Sequence, residues 1–443
     1  MLQNFLDSIP QFRQVLSALG RSFSMPVFAA GLSGSERAML VSGLSEQSGK
    51  PVLIITPDEP SATKLSEDIA RLCDPQKVAL YPIRDLRFRS AESSSAEYEQ
   101  KRLAVLGRIL DGSCKIVVTS VEAALQYTIP PGTFKYNTFS IIRGQSYDME
   151  DLAKRLSRAG YERRSQVDGP CQFSVRGGIL DFYSPQANCP IRIEFWGDEA
   201  DSVAMFDLET QRRTKEIDEA FVAPAREVLT DSTEALVKLL KDAHAKQRGK
   251  HGLLVKENIE KDLERIDSGL GVSAPDRYIP LVYKFPATIF DYLPEGVFVA
   301  SEFIRQKEIL KTLSSQQSED ISQLFEEGIL FAGCEEFSLD YTAYCSILDE
   351  GNTVIMDSFI RSVNDIHIRT VADFGAVSLS HWGGDLETLL EDLRDYADRK
   401  FSVAVLCGTE RAAHALTTDL LNNNINAAFS QKAKISPGTV YVM

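Results

Sequence analysis

The residues of this chain that come nearest to a chemical motif form a loop of the kind that grips phosphate. Gly31-Leu32-Ser33-Gly34-Ser35-Glu36-Arg37-Ala38 follows a short apolar run, Pro26–Ala30, and precedes a segment with helical character. A working loop at such a place needs a second glycine, so that backbone N–H groups can wrap the phosphates. It also needs a lysine to neutralise them and a Ser or Thr to hold magnesium. Those positions carry Glu36, Arg37 and Ala38. Glu36 sets a negative charge beside the place of a polyanion, Arg37 is a bulkier cation than lysine, and Ala38 offers a metal nothing. The second half of a nucleotide site would be an Asp-Glu pair at the end of a later strand. After Gly296–Ala300 the chain has Ser301-Glu302 instead, so the metal carboxylate is missing. An ordinary Gly/Ser turn and a polar strand end account for the two segments equally well one at a time. Together they describe a nucleotide fold without its chemistry, with nucleotide binding not expected.

No other catalytic or metal-binding group is expected. The cysteines, at 73, 114, 171, 189, 334, 345 and 407, include no C-x-x-C pair, and the histidines at 244, 251, 367, 381 and 414 lack metal-ligand spacing. Acid runs such as Glu319-Asp320 and Glu326-Glu327 read as solvated helix faces.

A different pair of segments carries exposed, interaction-prone residue types. In Phe173-Ser174-Val175-Arg176 and in Ile191-Arg192-Ile193-Glu194-Phe195-Trp196, side chains alternate across a strand. Phe173, Val175, Ile191, Ile193 and Phe195 then share a core face. Ser174, Arg176, Arg192, Glu194 and Trp196 share the opposite, solvent face. Arg and Trp are the types most enriched at the energetic centres of protein interfaces. The pattern leaves two readings open: an interface, or an edge aromatic covered by another part of the chain, with Arg192 paired to a nearby acid.

The elements that must position these residues are read from periodicity. Residues 1–134 alternate strands and helices, with Pro51–Thr56 and Lys115–Thr119 as strands buried on both faces, which implies a parallel sheet with helical cover. Residues 135–218 hold a helix from about Met149 to Gly160, then short strands separated by tight turns, and read as a small α+β insert with an antiparallel meander. Residues 219–350 resume the first domain. Residues 351–443 read as a second small α/β domain, and the run Val440–Met443 reads as a strand, as expected of a piece of a longer chain. The formal net charge of −15 opposes a general nucleic-acid binder, whose affinity comes from neutralising phosphates. The start lacks a signal-peptide pattern and no run approaches a membrane span, so a cytoplasmic protein with reduced thiols and no membrane partner is expected.

At VRGGILDFYSP (Val175–Pro185), IRIEFWGDEADSVAMFD (Ile191–Asp207) and ETQRR (Glu209–Arg213), the sequence resembles the second domain shared by the repair helicase UvrB and the bacterial transcription-repair coupling factors (Mfd). GLSGSERA and FDYLPEGVFVASEF (Phe290–Phe303) are similar to the segments in which UvrB keeps intact nucleotide motifs. The likeness covers residues ~20–340 and thins over the final ~90. Both nucleotide motifs are degenerate, and the Tyr-rich hairpin of UvrB has no counterpart between Tyr81 and Lys101, which hold only Tyr81 and Tyr98. Both departures favour the coupling-factor family over UvrB.

The resemblance implies a degenerate RecA/P-loop-like domain interrupted by a UvrB-like insert. It implies a docking site for UvrA, which brings excision repair to a stalled RNA polymerase, with contacts at Arg176, Arg192 and Trp196; the last position is Phe in some relatives. It implies no enzymatic activity and no cofactor in this fragment, since ATP and magnesium serve motor domains further along the family's chain, and RNA polymerase and DNA are partners only through such downstream domains. Two other functions stay open: a UvrB-type ATP-dependent helicase fragment that loads onto damage, and an autoinhibitory clamp on a downstream translocase.

Overall fold

The structure is a computed structural model, and it describes residues 2–443 except 20–25, 87, 90–95, 270, 378–381, 383 and 431–435. Four continuous apolar runs, β1 (Val27–Ala30), β2 (Val52–Thr56), β4 (Ile116–Ser120) and the later β13 (Val297–Ser301), are buried along their whole length. They join β3 (Val78–Tyr81), β14 (Asn352–Met356) and β15 (Thr370–Asp373) in a seven-stranded parallel sheet of order β15-β1-β14-β13-β2-β4-β3. Alternation along β2 shows why such strands are apolar without a break. Leu53 and Ile55 enter one core and Val52 and Ile54 the other, so each face of the sheet has helices to bury against.

The insert leaves this sheet after β4 and returns before β13. Its strands are β5 (Phe139–Ile142), β6 (Glu162–Arg163), β7 (Gln172–Arg176), β8 (Ile179–Phe182), β9 (Ile191–Trp196), β10 (Glu199–Phe206), β11 (Arg213–Glu216) and β12 (Glu219–Val222). β6 to β11 form a six-stranded sheet and β5 pairs with β12 in a ribbon. The meander is antiparallel except at β6, which runs parallel to β7, so the sheet is mixed. The helix Met149–Arg158 packs Leu152 and Leu156 against the face that carries Phe173, Leu180, Ile191 and Ile193.

The expected boundary at 350/351 falls too early. β14 and β15 belong to the first sheet, where β14 lies between β1 and β13 and β15 forms the edge beside β1. Local pattern does not say which sheet a parallel strand joins, because its partners are far away in sequence. The separate C-terminal unit is a three-stranded parallel sheet of β16 (Val403–Val405), β17 (Ala427–Phe429) and β18 (Val440–Val442), with β18 in the middle. Among the described residues no helix is long and apolar enough to cross a membrane.

Candidate functional site

The loop after β1 carries two glycines in the left-handed region, and its cation, Arg37, is bonded internally. Gly31 and Gly34 both have φ near +75°, 73 and 77 respectively. A Cβ at Gly31 would lie 2.5 Å from the backbone nitrogen of Gly375, so only glycine fits there. The helix Ser35–Ser48 begins at this loop, and Arg37 on its first turn is half-buried. Its Nε donates to the Leu32 carbonyl at 3.1 Å and its Nη2 to the Ser358 hydroxyl at 2.9 Å. Its Nη1 makes an ion pair with Glu302, at the end of β13. Glu302 stands in the left-handed region, φ 56°, and also receives Arg305 at 3.2 Å. Burial disfavours the Glu302 charge, but Arg37 and then Arg305 outweigh it and hold the carboxyl below its ordinary range. Arg37 of the loop and Glu302 at the end of β13 are thus bonded to each other. Ala38 is buried. Glu36 lies in the first helical turn, where its charge suits the helix N-terminus.

The insert's sheet brings the three outward residues to one face. Register places Ser174, Asp181, Arg192 and Ala204 in one cross-strand row and Arg176, Ile179 and Glu194 in the next, with Trp196 beyond. Asp181 is fully buried and is the anchor of the face. Arg192 grips it with two parallel bonds, Nε to Oδ1 at 2.7 Å and Nη2 to Oδ2 at 2.8 Å. Arg176 reaches the same Oδ2 with Nη2 at 2.7 Å. The hydrogen bonds it donates to Asp181 keep the Arg192 guanidinium more firmly protonated than usual. That group also donates to the Gln211 carbonyl at 3.0 Å and lies 4.5 Å from the centre of the Phe206 ring. Two guanidiniums share this one carboxylate. Trp196 ends β9 and is 85% exposed.

The face is less open than alternation suggests. Ser174, expected in solvent, is buried, and its hydroxyl donates to the Ser165 carbonyl at 2.8 Å. Arg192 retains only 13% side-chain exposure against 43% for Arg176. Residues around Val167, itself buried, and the 207–212 turn cover that end of the sheet, and Gln211 bonds to the Val167 carbonyl. Glu194 is taken by Arg213. Sequence reasoning missed Asp181, although the signal was present: it is the one acid on β8, two residues after Ile179 and so on the same face.

A second polar group missed from sequence lies where the insert rejoins the main sheet. Glu227 is fully buried and pairs with Arg102, also fully buried, through Nε at 2.8 Å. Arg84 pairs with Asp276 at 3.0 Å and with Glu227 at 3.4 Å, and Arg226 reaches Glu99 at 3.2 Å. Charges spaced through an apolar helix, Glu99 and Arg102 before Leu103, were the available hint. Among the described residues no group of three or more His, Cys, Asp or Glu is placed to hold a metal ion.

With this geometry in place, the comparisons are specific. Residues 139–228 match the family described as the UvrB interaction domain. The whole chain is 26% identical, over 452 aligned residues, to the transcription-repair-coupling factor of Bacillus subtilis (strain 168), covering 38% of that protein. It is 24% identical over its whole length to the factor of Staphylococcus epidermidis (strain ATCC 12228 / FDA PCI 1200) and to that of Staphylococcus haemolyticus (strain JCSC1435), again covering 38% of each. The chain is therefore homologous throughout to the N-terminal ~38% of transcription-repair-coupling factor. It spans about 38% of the length of these relatives. The likeness reaches through the final ~90 residues, further than the motifs suggested.

Proposed function

We propose that this chain, with its whole-length kinship to the front part of the coupling factors and its UvrB interaction domain, is an adaptor that binds UvrA and recruits nucleotide excision repair to a stalled RNA polymerase. The contact is the outer face of the inserted sheet, centred on Arg176, Arg192 and Trp196. The observation that carries this reading is Trp196, 85% exposed on a rigid strand end beside two arginines fixed by one buried carboxylate. Trp and Arg are the types most enriched at the energetic centres of protein interfaces. Guanidiniums already held in place lose less entropy on binding. The Arg37–Glu302 pair favours this reading over a UvrB-type helicase, because the cation that would meet a phosphate already has its partner. In this reading the fragment binds no ATP or magnesium and hydrolyses nothing. The same reading assigns motor action, polymerase contact and DNA contact to other parts of the family's proteins, of which the match covers 38%.

The test is capture of purified UvrA by the chain. Arg192 also bonds within its own domain, so its loss would mix docking with folding. Arg176→Ala and Trp196→Ala are cleaner. A centrally placed hot spot is worth about 2 kcal/mol or more, so the double variant should bind at least about tenfold more weakly. Its urea midpoint should stay that of the parent. A double variant that captures UvrA normally would show the face to be wrong.

A further inference from the structure

The long helix Phe303–Glu326 leaves the main sheet after β13 and crosses the surface with little beneath its middle. Ser314 to Asp320 are all exposed, about two turns of helix touching water on every side. Below and beside it runs a groove of about 880 Å³. One wall is the helix from Lys307 to Leu324, about 25 Å at 1.5 Å per residue. Lining positions on the helix, such as Leu310, Leu313, Ser314, Gln317, Ile321 and Leu324, recur at the three- and four-residue spacing of a single face. The other wall holds Leu86, Phe88, Leu125, Phe337 and Leu339. Phe88 and Phe337 meet edge to face at 4.7 Å.

Acids outnumber cations along this groove. Glu122 is half-buried in the floor, and Asp320 and Glu336 stand at the rim. The Glu122 and Glu336 side chains have no hydrogen-bond or ion-pair partner among the described residues, and Asp320 lies within the field of Arg89. Two of the cations along the groove are already committed, Lys307 to Asp365 and Arg89 to Glu327, which leaves Lys311. Burial, and then the neighbouring charges of Glu59 and Asp85, push the Glu122 carboxyl above its ordinary range. A cation brought to it would relieve both effects.

We propose that this groove docks a basic amphipathic helix of a partner protein, its apolar stripe against Leu310, Leu313 and Phe337 and a Lys or Arg reaching Glu122. An apolar trough walled by one helix face and rimmed by unpaired acids is complementary to such a helix, read at i, i+3, i+4 and i+7. The same acids repel a phosphate backbone. This site lies on the main domain and stands or falls independently of the UvrA face.

The experiment measures binding of a fluorescent synthetic helix of about 18 residues, long enough to span the groove, to the whole 443-residue chain. Its polar face is all Lys in one version and all Glu in another, and a single-stranded oligonucleotide serves as a third probe. The Lys peptide should bind at least about tenfold more tightly than the Glu peptide. Glu122→Gln with Glu336→Gln should weaken it about tenfold, and Leu313→Asp should weaken it further, both with an unchanged urea midpoint. Trp196→Ala should bind the peptide as the parent does. Equal binding of the two peptides, no binding of either, preferential capture of the oligonucleotide, indifference to the Glu122/Glu336 pair, or loss in Trp196→Ala would overturn the assignment.

Discussion

At the scale of single residues, Asp181 joins the outer face of the inserted sheet to its folded core. Its two oxygens accept three charged bonds, from Arg176 and twice from Arg192. Removing the acid leaves Arg192, only 13% exposed, without a counter-charge. Arg176 can turn into water. Asp181→Ala should therefore lower stability by about 2–3 kcal/mol, less than the full effect of breaking a wholly buried pair, as read from urea unfolding. Trp196→Ala should change it by no more than about 0.5 kcal/mol, because an exposed ring has little packing to lose. If the two variants proved equally destabilised, the ring would be part of the core and not of a docking face. Arg176, Arg192 and Trp196 were legible as outward residues from the two-residue period alone. The half-burial of Arg192 and the burial of Ser174 were not, since the 207–212 turn and the residues around Val167 that cover them come from elsewhere in the insert.

At the scale of elements, the instructive pair is the Ser35–Ser48 helix and the end of β13, joined by Arg37 and Glu302. A positive φ at Glu302 is a conformation that a non-glycine residue adopts only when its surroundings hold it. Here the Arg37 and Arg305 guanidiniums do so. Because the folded carboxyl sits below its ordinary 4.5, its contribution is fully present above that pH and fades as pH falls through the lower folded value. Arg37→Ala should cost about 1 kcal/mol at pH 7, and its difference from the parent should narrow in acid as Glu302 is protonated. Denaturant midpoints of both proteins from pH 7 to pH 3 would check this, and a gap that widened in acid would contradict it. The sequence placed Arg37 and Glu302 in two separate segments. It could not show that they answer each other, because 265 positions separate them.

At the scale of the whole molecule, the insert is tied to the main sheet by buried charge. Glu227, the first residue group of the returning chain, holds Arg102 on the helix Glu97–Leu110, while Arg102 also stacks 4.2 Å from the centre of the Tyr81 ring. Glu227→Gln leaves Arg102 fully buried without its counter-charge and should cost about 3 kcal/mol. Loss of the junction should loosen the main sheet and the insert together, seen as faster hydrogen exchange on both sides of residue 227; exchange confined to one side would mean that the network serves only local packing. Composition, the unbroken apolar runs and the alternation along β7 and β9 are local properties, and the chain order of residues carries them unaided: an α/β protein, an inserted meander, an outward arginine and tryptophan set. Which sheet claims β14 and β15, which acid anchors both arginines, and where Glu227 finds Arg102 depend on segments distant in sequence meeting in space. Parallel pairing and buried ion pairs leave no short-range periodicity, so the tertiary structure alone decides them.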